Sequence, residues 1–434
     1  MCVNKAATAA VFFMLGVGLI SLKINWIVFL FAVLLLPVFL TVKRRINFSS
    51  AVILLFFALL GAFYYNFRIS WEKRGLVFGE PIAVQGLVDA PSIRRGETQK
   101  LTIKLSDTGA PVSATTYSSA LFEYGDVVKI SGILFEQPGG RIVFSAPVSP
   151  KIIKRGSGSR IKSALFSLKD SLENNIKRAL PPDKTALPIG TLLGDKSDFT
   201  GEFDNALKRS GLAHIAALSG FNVMILIRYL TSIVGFFILH RSSRFAVIVS
   251  IIAAFIVMTG ASASLVRAGI MGVVGLALKN QSRLTDVKFI LIWTALFMVL
   301  INPTVLIFDL GFSLSFSALI GLIYIEPLLK KLLTKIFKTP EVFWRGWKGL
   351  IIQTLAAESA VSPIILVTFR QFSPWAVFSN LLILPLLPVT MLLTFITALG
   401  GYISSALSVA LSWPLYLLVG YEEVVINIFG GGFV

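Results

Sequence analysis

The segment GLAHIAALSGFNVMILIRYLTSIVGFFIL (211–239) decides the fold. A polar entry holding His214, Ser219, Gly220 and Asn222 runs into an apolar stretch over 213–239. A helix needs about 20 apolar residues to cross about 30 Å of hydrocarbon, so this stretch reads as a membrane span. Ser-Gly inside an apolar run predicts a bent or broken helix, and breaks at depth are tolerated only beside protein or a water-filled cavity. Reading outward, comparable spans fall near 6–22, 24–42 and 50–67 on one side. On the other they fall near 245–260, 262–279, 287–302, 304–325, 349–370, 375–399 and 402–429, making about eleven in all. Glu422 and Glu423 interrupt the last one.

Composition agrees. Of 434 residues only 14% are charged and 55% are hydrophobic, against about a quarter charged in ordinary soluble domains. Mean hydropathy is +0.82. A soluble enzyme, a disordered chain and a coiled coil are excluded, and a polytopic α-helical membrane protein is indicated. The net charge is +18. It fits either the usual excess of cations in cytoplasmic loops or a polyanionic partner, nucleic acid or anionic lipid. Cys2 is the sole cysteine and His214 and His240 are the only histidines, so no disulfide and no clustered His/Cys metal site is expected. No nucleotide-binding motif is visible, and the chain is read as a non-enzyme without a cofactor.

Residues 70–155 differ in character. Short β-rich runs, PIAVQGLVDAP (81–91), QKLTIKLS (99–106), GDVVKISGILF (125–135) and GRIVFSAP (140–147), alternate with Gly, Pro and Asp. This spacing predicts a small all-β domain, and about five strands in some 80 residues fit an OB-like barrel. An amphipathic helix follows over 160–180, with Ile161, Leu165, Leu168, Leu172 and Ile176 on one face and Lys162, Lys169, Lys177 and Arg178 elsewhere. It reads equally as a helix lying on the membrane or packing on the bundle. A short helix over 201–209 has Thr200 as N-cap and Gly211 as its stop. Four regions result: N-terminal spans (1–69), the OB-like domain (70–155), helices at the outer membrane face (156–212) and the main transmembrane domain (213–434).

Loop charge sets the expected orientation. With the N-terminus inside, the cytoplasmic loops carry Lys43, Arg44 and Arg45; Arg241 and Arg244; Lys279, Arg283 and Lys288; and the basic run from Lys330 to Lys348. The OB-like domain and the C-terminus then lie outside.

Four segments carry polar residues into spans. In the first, Ser219 and His214 are badly spaced for a nucleophile and base on one helix, and no carboxylate orients the histidine, so a cavity-lining or packing role is expected. In TGASASLVRAGIMGVVG (259–275), Ser264, Ala268, Gly272 and Gly275 form a small-residue face suited to close packing. Arg267 is not explained that way; it must pair with a carboxylate or face water, and one reading is a fixed positive charge on an anion path. Asp309 in INPTVLIFDLGFSLSFSALIG (301–321), with Ser313 beyond it, and Glu358 in LAAESAVSPII (355–365) are the candidate partners. In FRQFSPWAVFSNLLILPLLPV (369–389), Arg370 sits at a boundary, and Asn380, Pro385 and Pro388 interrupt the next span.

Taken in order, LLGDKSDF (192–199), GLAHIAALSGFNV, TGASASLVRAG, FDLGFSLSFSALIGL and QFSPWAVFSNLLILP resemble the ComEC family, the membrane channel of bacterial competence. The likeness covers about 180–400, with the N-terminal spans and OB-like domain matching in pattern. It departs at Asn222, where the family usually has histidine, and at Ser313, where it usually has glutamine. The resemblance implies that a single DNA strand passes inward. Arg228, Arg267 and Arg370 would be spaced cations on a polar path that also includes His214, Ser219, Gly220, Asn222, Asp309, Ser313, Glu358 and Asn380. It also implies that the OB-like domain contacts DNA, with Arg94, Arg95, Lys100, Lys104, Phe122, Tyr124 and Arg141 available. A cytoplasmic helicase-type ATPase and a surface DNA-binding protein are the implied partners. The metallo-β-lactamase-like domain of many members has no counterpart motif here, so a shortened form without that nuclease is expected. The alternatives are a secondary transporter of a small anion and a lipid-handling protein.

Overall fold

The computed structural model describes residues 2–22, 47–95, 98–117, 122–137, 141–215, 218, 220–238, 240–280, 287–338, 346–370 and 373–431. The chain is mostly helical and divides into two compact units: residues 1–164 with 274–310, and residues 165–273 with 311–434.

In the first unit, α1 (Cys2–Ser21) and α2 (Phe48–Glu72) pack at very short range. A Cβ on Gly16 would stand 1.9 Å from the Ala58 carbonyl oxygen, and one on Gly61 would stand 2.1 Å from that of Phe13. Only glycine permits this approach, and in a membrane such contact replaces the missing hydrophobic drive for helix association. Phe12, Ile20, Leu54, Ala58 and Ala62 fill the seam. The expected span at 24–42 lies outside the described residues. The unit also holds α9 (Val287–Ile301) and the short α10 (Val305–Phe308).

Among its described residues the same unit contains six strands: β1 (Pro81–Val88), β2 (Ile93–Arg95), β3 (Thr98–Leu105), β4 (Pro111–Tyr117), β5 (Val127–Gln137) and β6 (Arg141–Lys154). Five close into a ring in the order β1-β3-β4-β6-β5-β1, and β2 forms a hairpin with β3. All ring pairings are antiparallel except β4 with β6. This five-stranded barrel fits an OB fold. Closure turns on Gly86, which pairs with Val128 of β5 and with Leu105 of β3. A Cβ there would meet the Ile103 side chain at 2.4 Å. Strict alternation turns Leu101, Ile103, Leu105, Val112 and Ala114 inward onto Val128, Ile130, Leu134 and Phe144.

The second unit is a helical assembly. The chain passes into it within α3 (Arg160–Ala179), continues through α4 (Ala186–Leu193), α5 (Gly201–Arg209), α6 (Gly220–Phe237) and α7 (Arg241–Met258), and leaves it within α8 (Ala263–Asn280). It resumes with α11 (Leu310–Phe337), α12 (Trp347–Phe369), α13 (Ala376–Ile383), α14 (Leu387–Ile403) and α15 (Ser405–Gly430). Thr200 caps α5 by accepting the Phe203 N–H at 3.2 Å, and Gly211 follows it at φ 78°. The core of this part joins Leu187, Phe203, Leu207, Leu212, Ile383, Leu387, Val425 and Ile426.

Among the described residues six helices are long and apolar enough to cross a membrane, or seven if the bent pair α13–α14 counts as one span. Ala6–Ser21, Ser264–Ala277 and Val287–Ile301 are apolar but shorter. The chain is a multi-pass membrane protein.

Two readings change. The span expected at 304–325 instead breaks at Asp309, whose backbone is extended (φ −99°, ψ 106°), and the long helix then runs from 310 to 337. Lys330, Lys331 and Lys335, expected in a loop, therefore lie on α11, where Glu326 pairs with Lys330 at 2.5 Å one turn on. The buried stripe of α3 also differs from the aliphatic one. Ile161 and Leu168 are exposed, while Phe166, Leu172, Asn175, Ile176 and Ala179 are buried. The cause is polar. Asn175 Nδ2 donates to the Ala398 carbonyl at 3.0 Å, and Lys169 turns to Asp195 at 2.8 Å. This part of α3 packs on the bundle.

Candidate functional site

The polar entry of the 211–239 segment is anchored to α4 and α8. Asn222 is fully buried, and its Nδ2 donates to the Thr191 carbonyl at 2.8 Å. Gly220 opens α6 directly against Arg267, whose Nη2 lies 2.8 Å from where a Cβ would stand. Arg267 on α8 is 6% exposed, and its guanidinium carbon lies 5.5 Å from the centre of the Phe316 ring. Its Nε and Nη1 have no hydrogen-bond partner. Of the two readings for Arg267, a carboxylate partner or a face to water, the structure does not supply the first: among the described residues Arg267 is in no ion pair, and neither is the half-buried Glu358 on α12.

The small-residue face of α8 is closely packed at Gly272 but not at Gly275, where a Cβ would meet nothing within 4 Å. A Cβ on Gly272 would meet Ile227 of α6 at 2.1 Å, and one on Gly269 would meet Ile256 of α7 at 2.4 Å. Ser264 Oγ lies 2.9 Å from Ser315 Oγ and 3.3 Å from the Gly311 carbonyl oxygen, tying α8 to α11.

The remaining predicted residues are dispersed. His214 is exposed, with Nδ1 donating to the Gly211 carbonyl at 3.1 Å. Ser219 lies outside the described residues. Arg228 is exposed on α6 and Arg370 is exposed in a left-handed turn (φ 52°) that ends α12. Asp309 and Ser313 are half-buried. Asn380 is buried on α13 with Oδ1 unpartnered. A cavity of about 900 Å³ is lined by Phe221, Lys330, Trp347, Gln353, Pro385 and Pro388, so the proline-broken α13–α14 segment does border open space.

Sequence reading missed a second polar region. Lys184 forms an ion pair with Glu423 on α15. Burial opposes its charge, but the Glu423 carboxylate raises the Lys184 ammonium above its ordinary value. Beside it, Thr390 donates to Glu422 Oε1 at 2.6 Å, and Glu422 Oε2 has no partner. The signal was two carboxylates in an apolar run, which had read only as an interruption. In the LLGDKSDF segment, Gly194 (φ 75°) ends α4 under the Leu218 side chain. Burial would raise the Asp195 carboxyl, yet Lys169 and the Ser197 N–H hold it at about 2. Among the described residues no group of three or more His, Cys, Asp or Glu can hold a metal.

On the barrel, Lys100 and Lys104 are exposed on β3. Arg94 and Arg95 lie on β2 and Arg141 opens β6. Phe122, named as a stacking candidate, is instead 2% exposed in the barrel core. Tyr124 is occupied locally: its hydroxyl accepts the Ser159 N–H at 3.0 Å and its ring lies under Lys162 at 5.7 Å. The exposed aromatic on the β3–β4 face is Tyr117, 74% exposed, which sequence reading passed over. It pairs with Thr98, and Lys100 pairs with Thr115, so Tyr117, Lys100 and Lys104 share one outer face.

Comparison with known proteins now bears on these features. ComE operon protein 3 of Bacillus subtilis (strain 168) is 26% identical over 272 residues, which are 61% of this chain and 34% of that protein. The chain thus spans about a third of the length of the curated relative it matches. No solved structure matches the chain. The family described as Competence protein matches residues 191–429, more than half of the chain and the part that holds Asn222, Arg267 and the Lys184–Glu423 pair's helix. The chain belongs to the Competence protein family.

Proposed function

We propose that the chain conducts a single DNA strand across the plasma membrane during DNA uptake. The family match over 191–429 carries this reading. A buried arginine with no carboxylate partner among the described residues, inside the matched part, supports it, because a fixed cation attracts a phosphate backbone without enclosing it. Arg228, Arg267 and Arg370 serve as spaced cations. His214, Ser219, Gly220, Asn222, Asp309, Ser313, Glu358 and Asn380 are the residues assigned to the polar path. The barrel holds the strand through Lys100, Lys104 and Tyr117, with Arg94, Arg95 and Arg141 adding charge.

The chain crosses the membrane eleven times, with the N-terminus inside and the barrel and C-terminus outside. Its four parts are 1–69, 70–155, 156–212 and 213–434. A cytoplasmic helicase-type ATPase pulls the strand, and a surface DNA-binding protein delivers it. Reconstitution in liposomes tests the reading. Fluorescent single-stranded DNA should enter vesicles holding the wild type under an applied potential, and entry should fall with Arg267→Ala. Entry of small anions with exclusion of DNA, in vesicles proven to hold folded protein, would replace the reading with that of an anion transporter.

A further inference from the structure

Buried polar atoms in native proteins are almost always hydrogen-bonded, so an orphaned guanidinium calls for a ligand. Arg267 is 6% exposed, two of its three nitrogens have no partner, and it is in no ion pair among the described residues. Its contact with the Phe316 ring offsets only part of the cost of burying a cation. The guanidinium also lies against Gly220, the first residue of the 18-residue α6, with Nη2 2.8 Å from where a Cβ would stand. The first backbone N–H groups of a helix have no partner within it, and that end carries a partial positive charge. Two positive groups are thus close neighbours, an arrangement that repels unless an anion joins them.

We propose that Arg267 and the first turn of α6 form a seat for one phosphate-type oxyanion. On the single-strand reading above, on which this rests, the occupant is a phosphodiester of the passing strand. A tetrahedral oxyanion suits the donors because it offers oxygens to a planar guanidinium fork and to backbone N–H groups at once. Gly220 is part of the seat: any side chain there would displace Nη2. Asn222 is not, because its amide is committed to Thr191. Phe221, next along α6, lines the 900 Å³ cavity.

The test uses the full chain in phosphatidylcholine nanodiscs, followed by thermal unfolding and calorimetric titration. Inorganic phosphate should raise the unfolding temperature of the wild type, and a short oligothymidylate should compete with it. Arg267→Gln should abolish the phosphate response, and Gly220→Ala should weaken apparent affinity by about tenfold. Absence of any phosphate response in the wild type overturns the seat, even where a variant fails to fold. An equal response in folded Arg267→Gln overturns it too. Oligothymidylate binding that survives Arg267→Gln keeps the strand reading and overturns the seat. A phosphate response without competition from oligothymidylate keeps the seat and overturns the strand as its occupant. Loss of the response in discs containing phosphatidylglycerol assigns the seat to a lipid headgroup, with the same consequence.

Discussion

Asn222 and Thr191 are joined across 31 residues of chain by one buried hydrogen bond, amide to carbonyl, at 2.8 Å. The bond fixes the first turn of α6 to the last turn of α4, and so sets where Gly220 meets Arg267. The bond needs an N–H donor at position 222. Donation, not titration, is what this position requires.

The first prediction follows. Asn222→Ala leaves the Thr191 carbonyl unpaired in a fully buried site and should destabilise the protein by about 1–3 kcal/mol. Asn222→Asp should cost more when ionised, because a carboxylate then faces a carbonyl oxygen. Thermal unfolding in detergent reads both; equal stability of Asp and Asn at this position would remove the donor argument.

Local signals were legible in the sequence and distant ones were not. Thr200 and Gly211 mark the ends of α5 through bonds within a turn, so their types alone sufficed. Arg267 stood out because a charge in an apolar run is costly wherever it points. Its surroundings were hidden, since Gly220 and Phe316 reach it from other helices. The face of α3 was misjudged for the same reason. Hydrophobic spacing favoured Ile161 and Leu168, but the partners of Lys169 and Asn175 lie 26 and 223 residues away. PVSATTY (111–117) is too poor in large apolar residues to announce β4, so Tyr117 went unnoticed until strand pairing placed it.

Lys184 and Glu423 supply the second prediction. Their side chains are 21% and 10% exposed, and each neutralises the other. Removing one partner strands a buried charge, at a cost of about 3–5 kcal/mol. Lys184→Met should therefore lower the unfolding temperature sharply, while Lys184→Met with Glu423→Gln should recover most of it. A double variant no better than the single one would mean that the pair carries no coupling.

Acid sensitivity is the third. The Asp195 carboxyl is held at about 2 in the folded chain against an ordinary 3.8. A depressed carboxylate stabilises the fold above its unfolded value, and this contribution fades as pH falls from about 5 towards 2. The shift corresponds to roughly 2 kcal/mol. Asp195→Asn should flatten the fall in unfolding temperature across that window and be less stable than wild type at neutral pH. A wild-type profile unchanged by the substitution would show that Lys169 does not act through charge.

The α1–α2 seam gives a fourth. Gly61 meets the Phe13 backbone so closely that a β-branched residue must push the helices apart. Gly61→Val should reduce the yield of folded protein and lower its unfolding temperature, by an amount typical of overpacking, about 1–3 kcal/mol or more. Unchanged yield and stability would mean that the helices do not touch there.

The two tyrosines of the barrel give opposite expectations. Tyr117 is exposed beside Lys100 and Lys104 on the strand pair that OB folds use for oligonucleotides, so Tyr117→Ala should weaken single-stranded DNA binding by the full chain. One stacked base is worth about 1–3 kcal/mol, or roughly tenfold in affinity. Lys100→Gln with Lys104→Gln should weaken binding and make it less sensitive to salt, because fewer counterions are released. Tyr124→Phe removes only the acceptor for the Ser159 N–H, so it should lower stability slightly and leave binding intact. If Tyr124→Phe impairs binding while Tyr117→Ala does not, the strand lies on the other side of the barrel, towards the segment that leads into α3.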